Sequence, residues 1–165
     1  MRVQELIHLY DYNYWARDRI LDEAVKLSPQ QFIEFSTYGF GNIHKTLVHI
    51  LGAEWLWRMR CQGSSPTSFL NAEDFSTPEL LVQRWLNEES SMRKYLHALT
   101  DQKLERLVQY KTTRGQDFEN TLWQLLLHVV NHGTEHRSIL AAELTGYGFS
   151  PGDIDLIHFL RSQPA

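Results

Sequence analysis

Leu122, Leu125, Val129, His132, His136 and Ile139 recur at intervals of three or four residues in the last third of the chain, the spacing of a helical stripe that packs against other helices. A stripe of this length has to be covered, so the rest of the chain must supply helices to lie on it. Two of its positions, within HVVNHGTEHRSIL from His128 to Leu140, are histidine. Imidazoles four residues apart stand about 40° from one another around a helix, so both can reach one point. Each inward imidazole needs a partner for both nitrogens, and one shared metal ion satisfies a nitrogen of each.

Other stretches carry the helical period needed to cover that stripe. Val3, Leu6, Tyr10, Ile20, Ala24 and Leu27 mark a long first helix whose stripe Asn13 and Arg17 interrupt. Ser28-Pro29-Gln30-Gln31 combines an N-cap, a proline at the first helical position and a capping-box glutamine, which predicts a short helix toward Phe35 ended by Gly39 and Gly41. From near Asn42 to about Cys61 apolar residues wrap most of the circumference, so the second long helix is expected to be buried on several sides. Thr77-Pro78-Glu79 opens a third, with Leu81, Trp85, Met92, Leu96 and Leu99 in phase.

Val108, Tyr110 and Thr112 alternate ahead of Arg114-Gly115, predicting a small hairpin or extended loop before the last long helix. That helix starts at the capping-box pair Thr121 and Gln124 and runs to Leu144, with Gly146 as its stop. A short C-terminal helix follows from about Asp153. The expected fold is all-α, a four-helix bundle occupying residues 1–165 as one domain, a length sufficient for a real core.

A formal charge of −4 and the lack of a Lys/Arg stripe argue against nucleic-acid binding. Cys61 is the sole cysteine, so a disulfide within the chain and a cysteine-rich zinc site are both excluded, and histidines must do any metal binding. The opening MRVQELIHLYDYNYW lacks the apolar run of a signal peptide, and no stretch approaches a membrane span. A soluble cytoplasmic protein is expected.

A catalytic zinc-type site commonly has three protein ligands and an open position, so a third ligand is sought on another helix. His49, in the middle of the second long helix, is the best candidate, although a wheel apolar almost all round does not settle where it points. His44, near that helix's start, reads as a surface residue, and His8, His97 and His158 as lone histidines. His128 is displaced from the stripe and is expected to pack beside the ligands or bond to one of them. Glu54 falls in the apolar arc of Ile43, Leu47, Ile50 and Trp57, where an unpaired carboxylate is costly. It could bond a ligand, pair with Arg58 or lie in a subunit contact.

Two metal signatures can be tested. A di-iron bundle needs paired Glu-x-x-His motifs, and Glu5-Leu-Ile-His8 stands alone. HGTEH, His132 to His136, matches the H-x-x-E-H pattern of inverted zinc peptidases, a short match of low specificity.

Taken together, Tyr12-Asn-Tyr-Trp15, LVHILGAEWLW at Leu47 to Trp57, LLHVVNHGTEHR at Leu126 to Arg137 and SPGDIDLIHFL at Ser150 to Leu160 resemble the DinB family, within the DinB/YfiT-like superfamily of metal-binding four-helix bundles. The resemblance implies a divalent metal, often nickel or zinc, held by one histidine of the second long helix and two of the fourth, here His49, His132 and His136. It also implies a homodimer. Where family members often read NHGTHHRGQ, this chain reads NHGTEHRSI, with Glu135 for a histidine and Ser138-Ile139 for Gly-Gln. Glu135 stands about 60° around the helix from His132, close enough for a catalytic carboxylate to act on a metal-bound water.

Relatives in the wider superfamily include thiol-dependent transferases and isomerases, which implies a low-molecular-weight thiol as a cosubstrate. The expectation is a metal-dependent S-transferase or hydrolase acting on a small molecule, in a pocket lined by Tyr12, Trp15 and Trp55. The alternative is a metal-binding stress or damage-response protein without catalysis.

Overall fold

The structure is a computed structural model and describes residues 1–163. Four long helices, α1 (Val3–Ala24), α3 (Ile43–Cys61), α4 (Pro78–His97) and α6 (Leu122–Gly146), form the bundle. The minor elements are α2 (Pro29–Ile33), a 3-10 turn at Ala72–Phe75, α5 (Asp101–Leu104), strands β1 (Leu107–Lys111) and β2 (Asp117–Thr121), and α7 (Leu156–Ser162). The all-α bundle with a hairpin and a short C-terminal helix is as expected; the 3-10 turn and α5 are additions.

Local chemistry sets the helix starts. The Asn42 side chain accepts from the Lys45 backbone N–H at 2.7 Å, and Ser28 and Gln31 close a reciprocal capping box. Gln124 reaches back to the Thr121 backbone N–H at 3.1 Å. The stop of α6 differs from expectation. Gly146 is still helical, and Gly148, at φ +87°, takes the left-handed position while Phe149 N–H bonds to the Leu144 carbonyl.

Each bundle helix packs along two others: α1 lies between α4 and α6, and α3 closes the ring opposite. One half of the core gathers Leu6, Tyr10, Cys61, Met92, Leu96, Leu122 and Leu126; the other gathers Ile20, Leu47, Leu51, Leu81, Trp85, Leu140 and Leu144. The order in which each helix visits these halves makes α1 and α6 run one way and α3 and α4 the other. The connection from α3 to α4 must therefore travel the length of the bundle. β1 and β2 pair antiparallel from Leu107 with Thr121 to Lys111 with Asp117, around a turn in which Gly115 has φ +81°.

Buried polar side chains occupy the middle of the helices between the two apolar halves. Arg137 donates to Asn13 Oδ1 at 2.6 Å, joining α6 to α1. Glu54 accepts from Tyr14 Oη at 2.7 Å and from Trp85 Nε1 at 3.1 Å, joining α3 to α1 and α4. Arg58 pairs with the buried Glu88, and Arg17 with Glu89 at 2.6 Å. Asn13 and Arg17, which looked like interruptions of the first stripe, are 3% exposed and belong to this layer. Among the described residues no helix is long and apolar enough to cross a membrane.

Candidate metal centre

α3 and α6 pack along one another, and this contact carries the histidines. His49 Nε2 stands 3.0 Å from His132 Nε2, and one ligand nitrogen from each of His49, His132 and His136 lies within 4.8 Å of the others. Ring centroids are 4.9 Å apart for His49 and His132, 4.9 Å for His49 and His136, and 4.4 Å for His132 and His136. Thus α3 does point His49 at the pair on α6, which its helical wheel left open.

Burial and mutual repulsion keep these imidazoles neutral. Burial, with the neighbouring His136, His49 and His128 behind it, pushes His132 down to about 3, and burial with His136 pushes His49 to about 4. His136 is also lowered by burial, while the Glu135 carboxylate pulls it back up. Neutral imidazoles present the lone pairs a cation needs. The buried Nδ1 of His136 has no hydrogen-bond partner. Zinc–imidazole bonds of about 2.0–2.1 Å set the nitrogens of a tetrahedral site roughly 3.3 Å apart. A triad with no pair beyond 4.8 Å is within a side-chain rotation of that, so these three residues could hold a metal ion.

Their depth differs from the sequence expectation. Leu125 and Val129 of the predicted stripe are buried, but beyond them the buried line of α6 runs through Val130, Gly133, Arg137, Leu140 and Leu144, and faces α1 at Asn13. His132 and His136 are half-buried on its flank, turned toward α3, rather than fully inward. Gly133 is what lets that line approach α1. A Cβ there would lie 2.6 Å from Arg137 Nη1 and 2.9 Å from Asn13 Oδ1.

The other residues singled out from the sequence are placed as well, some of them against expectation. His44 is buried rather than on the surface, because α2 and the 3-10 turn cover the first turn of α3, and its ring packs on Phe32 at 5.0 Å. Glu54 pairs with neither a histidine nor Arg58: Tyr14 and Trp85 satisfy it, and burial raises its pKa. Tyr12 and Trp15 pack on Phe159 of α7 at 6.0 and 5.7 Å, and the rings that face His49 are Phe40 and Phe69. His128 packs beside the ligand cluster without joining it, as expected, its centroid 5.6 Å from that of His132, but it is exposed and lies edge-on to Trp57. Glu135 is exposed; burial lowers the pKa of both His128 and His136, and the Glu135 carboxylate offsets part of that lowering.

Sequence reasoning missed Phe40 and Phe69, which sit in loops without periodicity. The available signal was Gly52, a glycine in the middle of α3 where a packing reason was to be sought. The chain is 27% identical to Protein DinB of Bacillus subtilis (strain 168) over 159 residues, covering 92% of each sequence. The DinB family matches across residues 1–165, and with a helical bundle that brings His49, His132 and His136 together, the chain belongs to the DinB family.

Proposed function

We propose that the protein is a metal-dependent enzyme that holds a divalent ion, nickel or zinc, through His49, His132 and His136 and acts on a small molecule, as a thiol-dependent S-transferase or a hydrolase. The observation that carries this reading is the convergence of three imidazoles, kept neutral by burial, from two helices onto one point. A metal with three neutral ligands keeps its charge and lowers the pKa of a thiol or water bound in the remaining position. Glu135 is the base in this reading: it is exposed, lies next to His136 and is close enough to shift it. The setting proposed is cytoplasmic and homodimeric, the latter supported by the end of α2 and the loop that follows it, on which Ile33, Phe35 and Tyr38 are 54%, 79% and 69% exposed.

Metal analysis and calorimetric titration test the assignment. One equivalent of nickel or zinc is expected on the wild type, with His132→Ala or His49→Ala binding at least about 100-fold more weakly. Wild-type protein that takes up neither ion, or alanine variants that bind as well as wild type, would sink it. A metal serving only to brace the bundle predicts instead a sharp fall in melting temperature on chelation. The half-buried placement of the histidines, beside rather than within the core line, favours the enzyme.

A further inference from the structure

Two phenylalanines converge on His49, one from the loop before α3 and one from the loop after it. Phe40 stacks on the imidazole with centroids 3.6 Å apart and planes at 24°, and meets His136 edge-on at 5.4 Å. Phe69 lies nearly parallel to His49, at 5.5 Å and 20°. Both rings remain open to solvent, 43% and 37% exposed.

Neither position is incidental. The Phe40 backbone N–H donates to Thr46 Oγ1 at 3.1 Å, and Thr46 in turn donates to the Asn42 carbonyl at 2.9 Å. Gly39 has φ +58° and passes so near α3 that a Cβ would fall 2.5 Å from Thr46 Oγ1. The turn is thus tied to the helix one turn ahead of His49. Phe69 fills the space left by Gly52, where a Cβ would lie 2.3 Å from its Cε1. Glycine in a helix interior weakens the helix, and here it makes the seat for an aromatic ring beside the histidines.

We propose that Phe40 and Phe69 form an aromatic clamp on the histidine site, selecting ligands that carry a flat, apolar, aromatic group next to the atom that meets the metal. The inference rests on His49, His132 and His136 being metal ligands. An aromatic ring both buries the solvent-exposed part of the two phenyl rings and packs against it, whereas a small aliphatic or strongly polar group does little of either. The clamp therefore acts on the organic part of the substrate and leaves the choice of metal-binding atom to the metal.

The test uses cobalt(II)-loaded protein titrated with benzohydroxamate and acetohydroxamate, which share chelating atoms and have similar acidity, followed by the visible spectrum of the metal. Benzohydroxamate is expected to bind wild type about tenfold tighter or more, and the ratio to shrink to about threefold or less in Phe40→Ala and Phe69→Ala. The cobalt spectrum without hydroxamate should stay as in wild type. Gly52→Ala, which displaces Phe69 from its seat while leaving the ring in the protein, should also narrow the ratio. Equal binding of the two hydroxamates by wild type, or a preference that survives in the Phe40→Ala/Phe69→Ala double variant, overturns the clamp alone. Protein that takes up no cobalt, or whose spectrum neither hydroxamate perturbs, overturns the metal-site reading and the clamp with it.

Discussion

Replacing the two helical glycines of α6 by alanine should move stability in opposite directions. At Gly146 a Cβ meets nothing within 4 Å, so Gly146→Ala gains helix propensity, about 0.5 kcal/mol near a helix end. At Gly133 the same gain of roughly 1 kcal/mol is set against a Cβ 2.6 Å from Arg137 Nη1 and 2.9 Å from Asn13 Oδ1. An arginine tip could normally swing aside, but Arg137 is 2% exposed and engaged with Asn13 at 2.6 Å and Thr134 at 3.1 Å. Making room means breaking or stretching a charge-assisted bond worth about 1.5–3 kcal/mol. The net is a loss of roughly 0.5–2 kcal/mol, or about 1–8 °C in melting temperature for a chain of this size. Gly146→Ala should instead rise by about 1–2 °C. Thermal melts of the metal-free proteins by circular dichroism decide it. A Gly133→Ala variant as stable as Gly146→Ala would show that Arg137 and Asn13 do not hold α6 against α1 in the way described.

Glu54→Gln keeps the volume and can still accept from Trp85 Nε1, so urea unfolding should place it within about 1 kcal/mol of wild type, whereas Glu54→Leu strands the buried Tyr14 and Trp85 donors and should cost roughly 2–5 kcal/mol. Acid should weaken the metal-free protein through its histidines. His49 and His132 are pushed to about 4 and about 3 when folded, against about 6.5 when unfolded, so the unfolded chain takes up protons first and this contribution to stability is lost as pH falls below about 6.5. Melting temperature should accordingly drop less between pH 7 and 5 in a His49→Gln/His132→Gln variant, and an equal drop would contradict the neutral-imidazole picture. Cys61 is fully buried and burial pushes its thiol to about 12, so a disulfide-exchange reagent should leave it unlabelled in the native protein and label it in denaturant.

The helices were legible because their signals are local. A cap such as Asn42 acts within its own first turn, and a stripe such as Leu81, Trp85, Met92 and Leu96 names its own buried face. His132 and His136 could be paired from spacing alone for the same reason. What depended on a second element was harder. α3 is apolar almost all round, so only its contact with α6 fixes the direction of His49, and only the 3-10 turn and α2 bury His44. Glu88 is polar by type yet 1% exposed, because Arg58 reaches it from a different helix. The direction of α4 relative to α3 follows from a connection that crosses the bundle, which has no period to read.

The offset of the histidines from the core line bears on what the site is for. Had His132 and His136 lain on the line of Leu126, Val130, Leu140 and Leu144, the metal would have stood in for leucine packing, and losing it would have opened a hole in the bundle. Instead Gly133 and Arg137 occupy that line and bind α6 to α1 through Asn13, while the imidazoles project from the neighbouring flank toward α3. Folding and the proposed metal binding therefore draw on different side chains of one helix. Gly133→Ala should damage stability with all three histidines intact, and His132→Ala should abolish metal binding at little cost to the metal-free fold. A His132→Ala variant whose metal-free form loses as much stability as Gly133→Ala would mean that the triad itself braces the bundle. The two expected outcomes together fit a scaffold that presents an exchangeable metal at its surface, beneath Phe40 and Phe69, where an incoming molecule can reach it.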